Sequence, residues 1–236
     1  MIYKVRQTSN AYFLLHSRPI GYPEDFPVEP EYGFPIFDRL TKDDVPKSMC
    51  AFNDVGRSKE PGTTALHFHK DDDKFVSVVV DPLKYGNGWG HFKALCSPDI
   101  TLSDGMYQWE RIKNTCVSRS VGATWVSQGI KVIPLLRWRF VSDCAFVVAG
   151  IPKHSVIAVS SYGSVRDAEL RQVFIDGLRE IVKRLEPIAI LVYGTALKNI
   201  QEIVGPNIEV IMYPTPTEKL RLAQSSMKDD EASRLF

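Results

Sequence analysis

The stretch from His154 to Thr217 limits the possible folds most, because it reads strand, helix, strand, turn, strand. Ser155-Val156-Ile157-Ala158-Val159-Ser160 is a β-branched run that stops at Ser161-Tyr162-Gly163. A helix is predicted from about Arg166 to Leu185. Its apolar residues Leu170, Val173, Phe174, Leu178, Ile181, Val182 and Leu185 recur at i, i+3 and i+4. Ser164 with Asp167 has capping-box spacing, Pro187 stops the helix, and Gly177 inside it predicts close packing on the sheet. Ile188-Ala189-Ile190-Leu191-Val192 and Ile208-Glu209-Val210-Ile211-Met212 follow as strands. Nearly all-apolar strands alternating with a helix belong to a parallel sheet covered on both faces. The fold class expected is therefore α/β, a three-layer domain with a central, mostly parallel sheet. Ligands of such sheets sit at the carboxyl ends of the strands, here marked by Ser161, Tyr162, Tyr193, Thr195, Tyr213 and Thr215.

Upstream, residues 1–62 read as a long irregular arm rich in Pro and Gly, residues 63–217 as the α/β core, and 218–236 as a polar tail, frayed or disordered from Ser225. Within the core, Thr63–His69, Phe75–Val80, Ala94–Cys96, Lys131–Leu136 and Phe146–Ala149 read as strands. Asp104–Ser118 reads as a helix, Thr124–Ile130 as a turn, and Gly86–Gly90 as a flexible loop. No apolar run approaches the roughly 20 residues of a membrane span, and Met1–Gln7 lacks an apolar leader. The four cysteines are widely spaced, so reduced thiols and a cytoplasmic location are expected, with no cofactor.

Charge is distributed unevenly. Residues 24–44 are acid-rich, whereas residues 111–142 carry Arg111, Lys113, Arg119, Lys131, Arg137 and Arg139 with no carboxylate. Trp125 and Trp138 are interleaved with these cations, and Trp109 lies just before them. Such a zone is either a phosphate-facing surface or a core with arginines at strand ends. His67 and His69 share a strand face ahead of Asp71, Asp72 and Asp73, which is a possible metal pair without a fixed third ligand. Asp99 ends the short strand Ala94-Leu95-Cys96, where α/β enzymes keep catalytic carboxylates; it could instead cap the next helix.

Two segments carry a resemblance. Ile190-Leu191-Val192-Tyr193-Gly194-Thr195-Ala196-Leu197 followed by Val210-Ile211-Met212-Tyr213-Pro214-Thr215-Pro216 resembles the end of a uracil-DNA glycosylase superfamily domain. Ser127-Gln128-Gly129-Ile130-Lys131-Val132-Ile133-Pro134 resembles that superfamily's Gln-Gly segment, and Ser97-Pro98-Asp99 falls where its water-activating motif would. From about Phe75 the chain also resembles an uncharacterised family of phages and mobile elements. The resemblance implies a DNA glycosylase that flips a modified base out of the stack and leaves an abasic site. The candidate base is glucosylated hydroxymethylcytosine of phage DNA, removed in antiviral defence. Asp99 would stabilise the oxocarbenium-like sugar, and Tyr213, standing at the motif's His, would donate to the departing base. Arg119, Gln128, Arg137, Trp138, Arg139, Ser161, Tyr162, Tyr193, Gly194, Thr195 and Thr215 would bind substrate or DNA. Two other classes stay open: a metal-dependent nuclease or phosphohydrolase using His67, His69 and the Asp71–Asp73 run, and a non-catalytic phage-linked nucleic-acid-binding protein.

Overall fold

The computed structural model describes residues 22, 23, 25–162, 167–195, 197, 199–221 and 224. Ser164, Arg166, Ala196 and the segment 225–236 lie outside the described residues, so the expectations resting on them do too.

The architecture is α/β with parallel strands, as the sequence predicts. Strands β1 (Ser48–Ala51), β2 (Thr64–His67), β3 (Ala94–Cys96) and β4 (Val132–Ile133) form one four-stranded sheet in that order. Strands β5 (Leu135–Leu136), β6 (Val156–Ser160), β7 (Ala189–Tyr193) and β8 (Glu209–Tyr213) form the second. Pro134 separates β4 from β5. It has no N–H for a ladder, and the chain changes pairing partner there, from β3 to β6. The expected arm therefore supplies a strand of its own, β1, before residue 63.

The sheets curl. In a flat sheet, four ladder steps of roughly 4.8 Å would hold β2 and β7 about 19 Å apart. Yet the rings of His67 on β2 and Tyr193 on β7 have centroids 4.3 Å apart. Alternation explains how. Ala65, Ala94, Cys96, Ile133, Leu135, Ala158, Ala189 and Leu191 all turn to one side and pack into a single cluster. Four of these eight are alanine, which lets the strands face one another across a narrow interior. Leu66, Leu95, Leu136, Ile157, Val159, Ile190 and Val192 turn to the other side and meet the helices. The second face of the sheet is thus covered by the sheet itself and by Leu40 of the arm, rather than by a second helical layer. The ladder stops at β1 and β8, so this barrel-like layer keeps an open seam.

The helices are α1 (Val76–Val80), α2 (Pro82–Trp89), α3 (Gln108–Ser127), α4 (Cys144–Val147), α5 (Ala168–Leu185) and α6 (Ile200–Val204). Helix α5 follows the sequence expectation closely. Asp167 caps it by accepting the Leu170 N–H at 2.8 Å, and Glu186 in the left-handed region ends it. Its buried Phe174, Leu178, Ile181 and Leu185 each contribute about 1.5–3 kcal/mol of apolar burial.

Four expectations are corrected. Phe75–Val80, read as a strand from its valines, is mostly helix α1: Val76 and Val79 are buried on one side while Val80 is exposed. Gly86–Gly90, read as a loop, largely belongs to α2, which Asp81 caps and Pro82 opens. Phe146–Ala149, read as a strand, overlaps the one-turn helix α4. Helix α3 starts later than expected and runs through Thr124–Ser127 before Gly129 ends it.

Candidate functional site

Strand parity decides which side chains meet at the carboxyl ends. Continuing the inward-facing positions to each strand tip gives His67 at the end of β2 and His69 beyond it, Arg137 after β5 and Tyr193 at the end of β7. Asp99, after β3, has the opposite parity to inward Ala94 and Cys96 and joins them past Pro98. Asp99 is buried, and its Oδ2 accepts from His69 Nδ1 at 2.9 Å while its Oδ1 accepts from Arg137 Nη1 at 2.8 Å. The carboxylate fixes the histidine: with Nδ1–H turned to Asp99, His69 keeps a lone pair on Nε2. That nitrogen is buried and has no partner among the described residues. Tyr193 stacks on His69 at 4.3 Å and 12°. His67 sits 4.9 Å from His69, centroid to centroid, and its Nδ1 accepts the His69 backbone N–H at 3.3 Å.

Electrostatics follow this geometry. Burial alone would raise the Asp99 carboxyl, but the Arg137 guanidinium and the His69 hydrogen bond hold it well below the usual carboxylate range. Burial, helped by the neighbouring His69, lowers His67 well below the ordinary histidine value. The site at rest is an ionised Asp99, a charged Arg137 and a neutral His67.

Arg137 links this cluster to a cavity of about 340 Å³. Arg137, Trp138, Arg139 and Tyr162, four of the expected binding residues, line it together. Thr101, Ser103 and Asp104, which sequence reasoning missed, complete its polar wall, and Asp104 pairs with Arg139. Trp138 donates its indole N–H to the Val173 carbonyl at 3.1 Å and stacks on Phe174. Gly177 makes that seat possible: it faces the indole, not the sheet, and a Cβ there would collide with the ring. Gly177→Ala is therefore expected to cost about 1–3 kcal/mol by overpacking. It should also shift the Trp138 fluorescence, read from urea unfolding and emission spectra against the Trp138→Phe background.

The other expected residues do different work. Arg119, expected at DNA phosphates, is fully buried and donates to the carbonyls of Leu135 and Val147. Gln128 also departs from its expected role. It closes α3, a helix that leads from the tip of β3 back to the start of β4, so it lies at the amino end of the strands and donates to Leu83 O and Asn87 Oδ1. Tyr213 is corrected as well: its hydroxyl is committed to the Pro46 carbonyl at 2.5 Å, and its ring packs in the barrel interior. Neither Asp99 nor Tyr213 lines the 340 Å³ cavity. Ser161 is buried and its Oγ donates to Thr195 O at 2.8 Å, bracing the turn after β7, where Gly194 takes φ +118°. Thr195 Oγ1 bonds Glu218, and Thr215 Oγ1 accepts the Glu218 N–H, so these two threonines anchor the segment after β8. Within the acidic run, Asp72 accepts from Thr101 rather than turning to the histidines. Among the described residues no three His, Cys, Asp or Glu side chains gather as a metal site. Cysteines 50, 96, 116 and 144 are free thiols. No described helix is long and apolar enough to cross a membrane.

Residues 26–214 match a family model described as "Domain of unknown function (DUF4417)". The chain is 32% identical over 197 residues to the Gene 1 protein of Mycobacterium phage L5, covering 82% of this chain and 84% of that protein. It is also 32% identical over 200 residues to the Gene 1 protein of Mycobacterium phage D29, covering 83% of this chain and 72% of that protein. No solved structure matches the chain. None of these matches leads to the uracil-DNA glycosylases.

Proposed function

The chain belongs to the DUF4417 family, and from the site it carries we propose that it hydrolyses the N-glycosidic bond of a flipped, modified DNA base. One observation supports this reading above the others: a nucleoside-sized cavity lined by Arg137, Trp138, Arg139 and Tyr162 lies against the Asp99 cluster. A volume of about 340 Å³ falls within the range of small-ligand sites.

The roles differ from those first expected. Charge builds on the departing base in the transition state, and a donor already aimed at it lowers the barrier. With the Tyr213 hydroxyl engaged by Pro46, Arg137 is the group that fills this role, because it faces the cavity and Asp99 fixes its guanidinium. His69, oriented by its Nδ1 bond to Asp99, is the candidate base, through the Nε2 that has no partner among the described residues; base flipping has to open a path for water to it. Tyr162 at the cavity rim stacks on the base, and Arg139 meets a flanking phosphate. The phage relatives favour DNA of phage or host as the source of the base, with glucosylated hydroxymethylcytosine the first to try and antiviral defence one setting for it.

The test is incubation with unmodified and hypermodified phage DNA, followed by mass analysis of released bases and an aldehyde-reactive probe for abasic sites. Arg137→Met should lower the release rate by about 10²-fold or more, the usual cost of a lost oxyanion donor. Intact DNA of every kind after long incubation would end the proposal. A second reading, a nuclease or phosphohydrolase using the His67–His69 pair, draws on the carboxylate behind His69, an arrangement common behind metal-bound histidines. Chelator-sensitive strand scission without abasic intermediates would select it.

A further inference from the structure

The seam between β1 and β8 holds a second cavity, of about 560 Å³, that the glycosidic reading does not use. Its inner wall is His67 and Tyr193, and its rim carries Arg57, Lys59, Lys70 and Lys219. Two carboxylates also line it: Asp54 pairs with Arg57 at 2.9 Å, and Glu60, which accepts from Thr63 Oγ1 at 3.2 Å, keeps its charge, so the lining holds four cations against two anions. Lys59, Lys70 and Lys219 have no ion-pair partner among the described residues. Like-charged ammonium groups around one concave wall raise the local anion concentration.

His67 supplies the direction. Its Nδ1 already accepts a backbone N–H from His69, so in the neutral ring the proton sits on Nε2. The buried ring can therefore offer the seam a hydrogen-bond donor and no acceptor. A histidine that only donates, under three ammonium groups with no ion-pair partner among the described residues, suits a group that accepts and carries more than one charge. Met49, Pro214 and Pro216 add an apolar flank for an organic moiety. The volume is that of a site for a small organic ligand, larger than one ion needs.

We propose that the seam cavity binds a phosphomonoester, its phosphate held by His67 Nε2–H and by Lys59, Lys70 and Lys219. The phosphate can come from a free nucleotide or from the 5′ end of a DNA strand, since both present the same dianion. The proposal stands apart from base excision, because it concerns a different cavity and is read by binding alone.

Calorimetric titration of the full chain at low salt tests it. The probes are thymidine 5′-monophosphate, thymidine, and an oligonucleotide with and without a 5′-phosphate. Phosphorylated probes should bind, and their unphosphorylated twins should bind at least tenfold more weakly. The double variant Lys70→Glu, Lys219→Glu should lose at least tenfold in affinity. Lys153→Glu, a charge reversal at an exposed residue paired with Glu186 outside this cavity, should not change it. Equal binding of mononucleotide and oligonucleotide assigns the phosphate alone, and preference for the oligonucleotide assigns a strand end; either result upholds the site. Heats that do not depend on the phosphate, or an equal loss from Lys153→Glu, overturn it. The three lysines are exposed or at the rim, so all these variants should fold, which circular dichroism verifies.

Discussion

Asp99→Ala abolishes base release in the proposed reaction, by about 10³-fold or more, and costs about 3–5 kcal/mol of stability, as breaking a buried ion pair does. One carboxylate holds two cations or donors, so its loss acts twice. Arg137, 37% exposed along its side chain, can regain water through the cavity. His69, 1% exposed, cannot, and loses both its orientation and its partner. Asp99→Asn separates the effects: the amide still offers Arg137 an acceptor, so stability falls less than rate. A stability loss without a loss of release would make Asp99 purely structural.

The same cluster sets a pH signature. The folded pKa of Asp99 lies below the unfolded value of about 3.9, so its stabilisation is complete above about pH 4 and disappears as pH falls further. His67 acts with the same sign at higher pH. Its folded pKa lies below the unfolded value of about 6.5, so the unfolded chain binds the extra proton on acidification. Stability then declines below about pH 6.5 at up to about 1.4 kcal/mol per pH unit. Urea midpoints across this range should show both limbs. Asp99→Asn should shrink the lower limb, to which Glu29 and Asp44 also contribute, and His67→Gln should flatten the upper one.

Much of this site was legible because strand tips are legible. Asp99, Arg137 and Tyr193 each stand at the end of an apolar run, and period-two alternation carries Arg137 and Tyr193 inward, whereas Asp99 departs from the alternation of inward Ala94 and Cys96. The partner of Asp99 was not legible: His69 is 30 residues away, and no spacing rule joins the tips of two neighbouring strands. The curl was hidden for a related reason. A strand buried against helices on one face and against other strands on the opposite face has the same unbroken apolar pattern as one between two helical layers. The distinguishing signal was size, in Ala65, Ala94, Ala158 and Ala189 at inward positions. Valine misled at Val76–Val80, where β-branched residues favour strands locally but burial followed helical periodicity. Tyr213 matches the motif's His by position alone, and the hydroxyl's engagement depends on Pro46, 167 residues away.

Arg119→Ala, outside the candidate site, should destabilise by about 3–5 kcal/mol. Arg119 is 1% exposed and donates to Leu135 O at 3.1 Å and Val147 O at 2.8 Å. Those carbonyls belong to β5, just after the pairing switch at Pro134, and to the end of α4. The guanidinium thus ties α3 to the start of the second sheet and to α4, beside the joint where each half-strand is two residues long. Charge-assisted bonds of this kind contribute about 1.5–3 kcal/mol each, and the void left by Ala adds a cavity cost of about 24 cal/mol per Å³. Against these stands relief from burying a charge that no carboxylate neutralises among the described residues; burial lowers the Arg119 pKa to about 9. Arg119→Met keeps most of the volume and removes the charge, so it should lose roughly half as much. Urea unfolding near neutral pH reads both. DNA binding provides the complementary readout. Arg139→Ala, at the cavity rim, should lower the salt dependence of affinity by about one ion, whereas Arg119→Met should leave it unchanged. A Met variant as stable as the parent would mean that the joint is held by packing alone, and a fall in salt dependence would return Arg119 to the DNA surface.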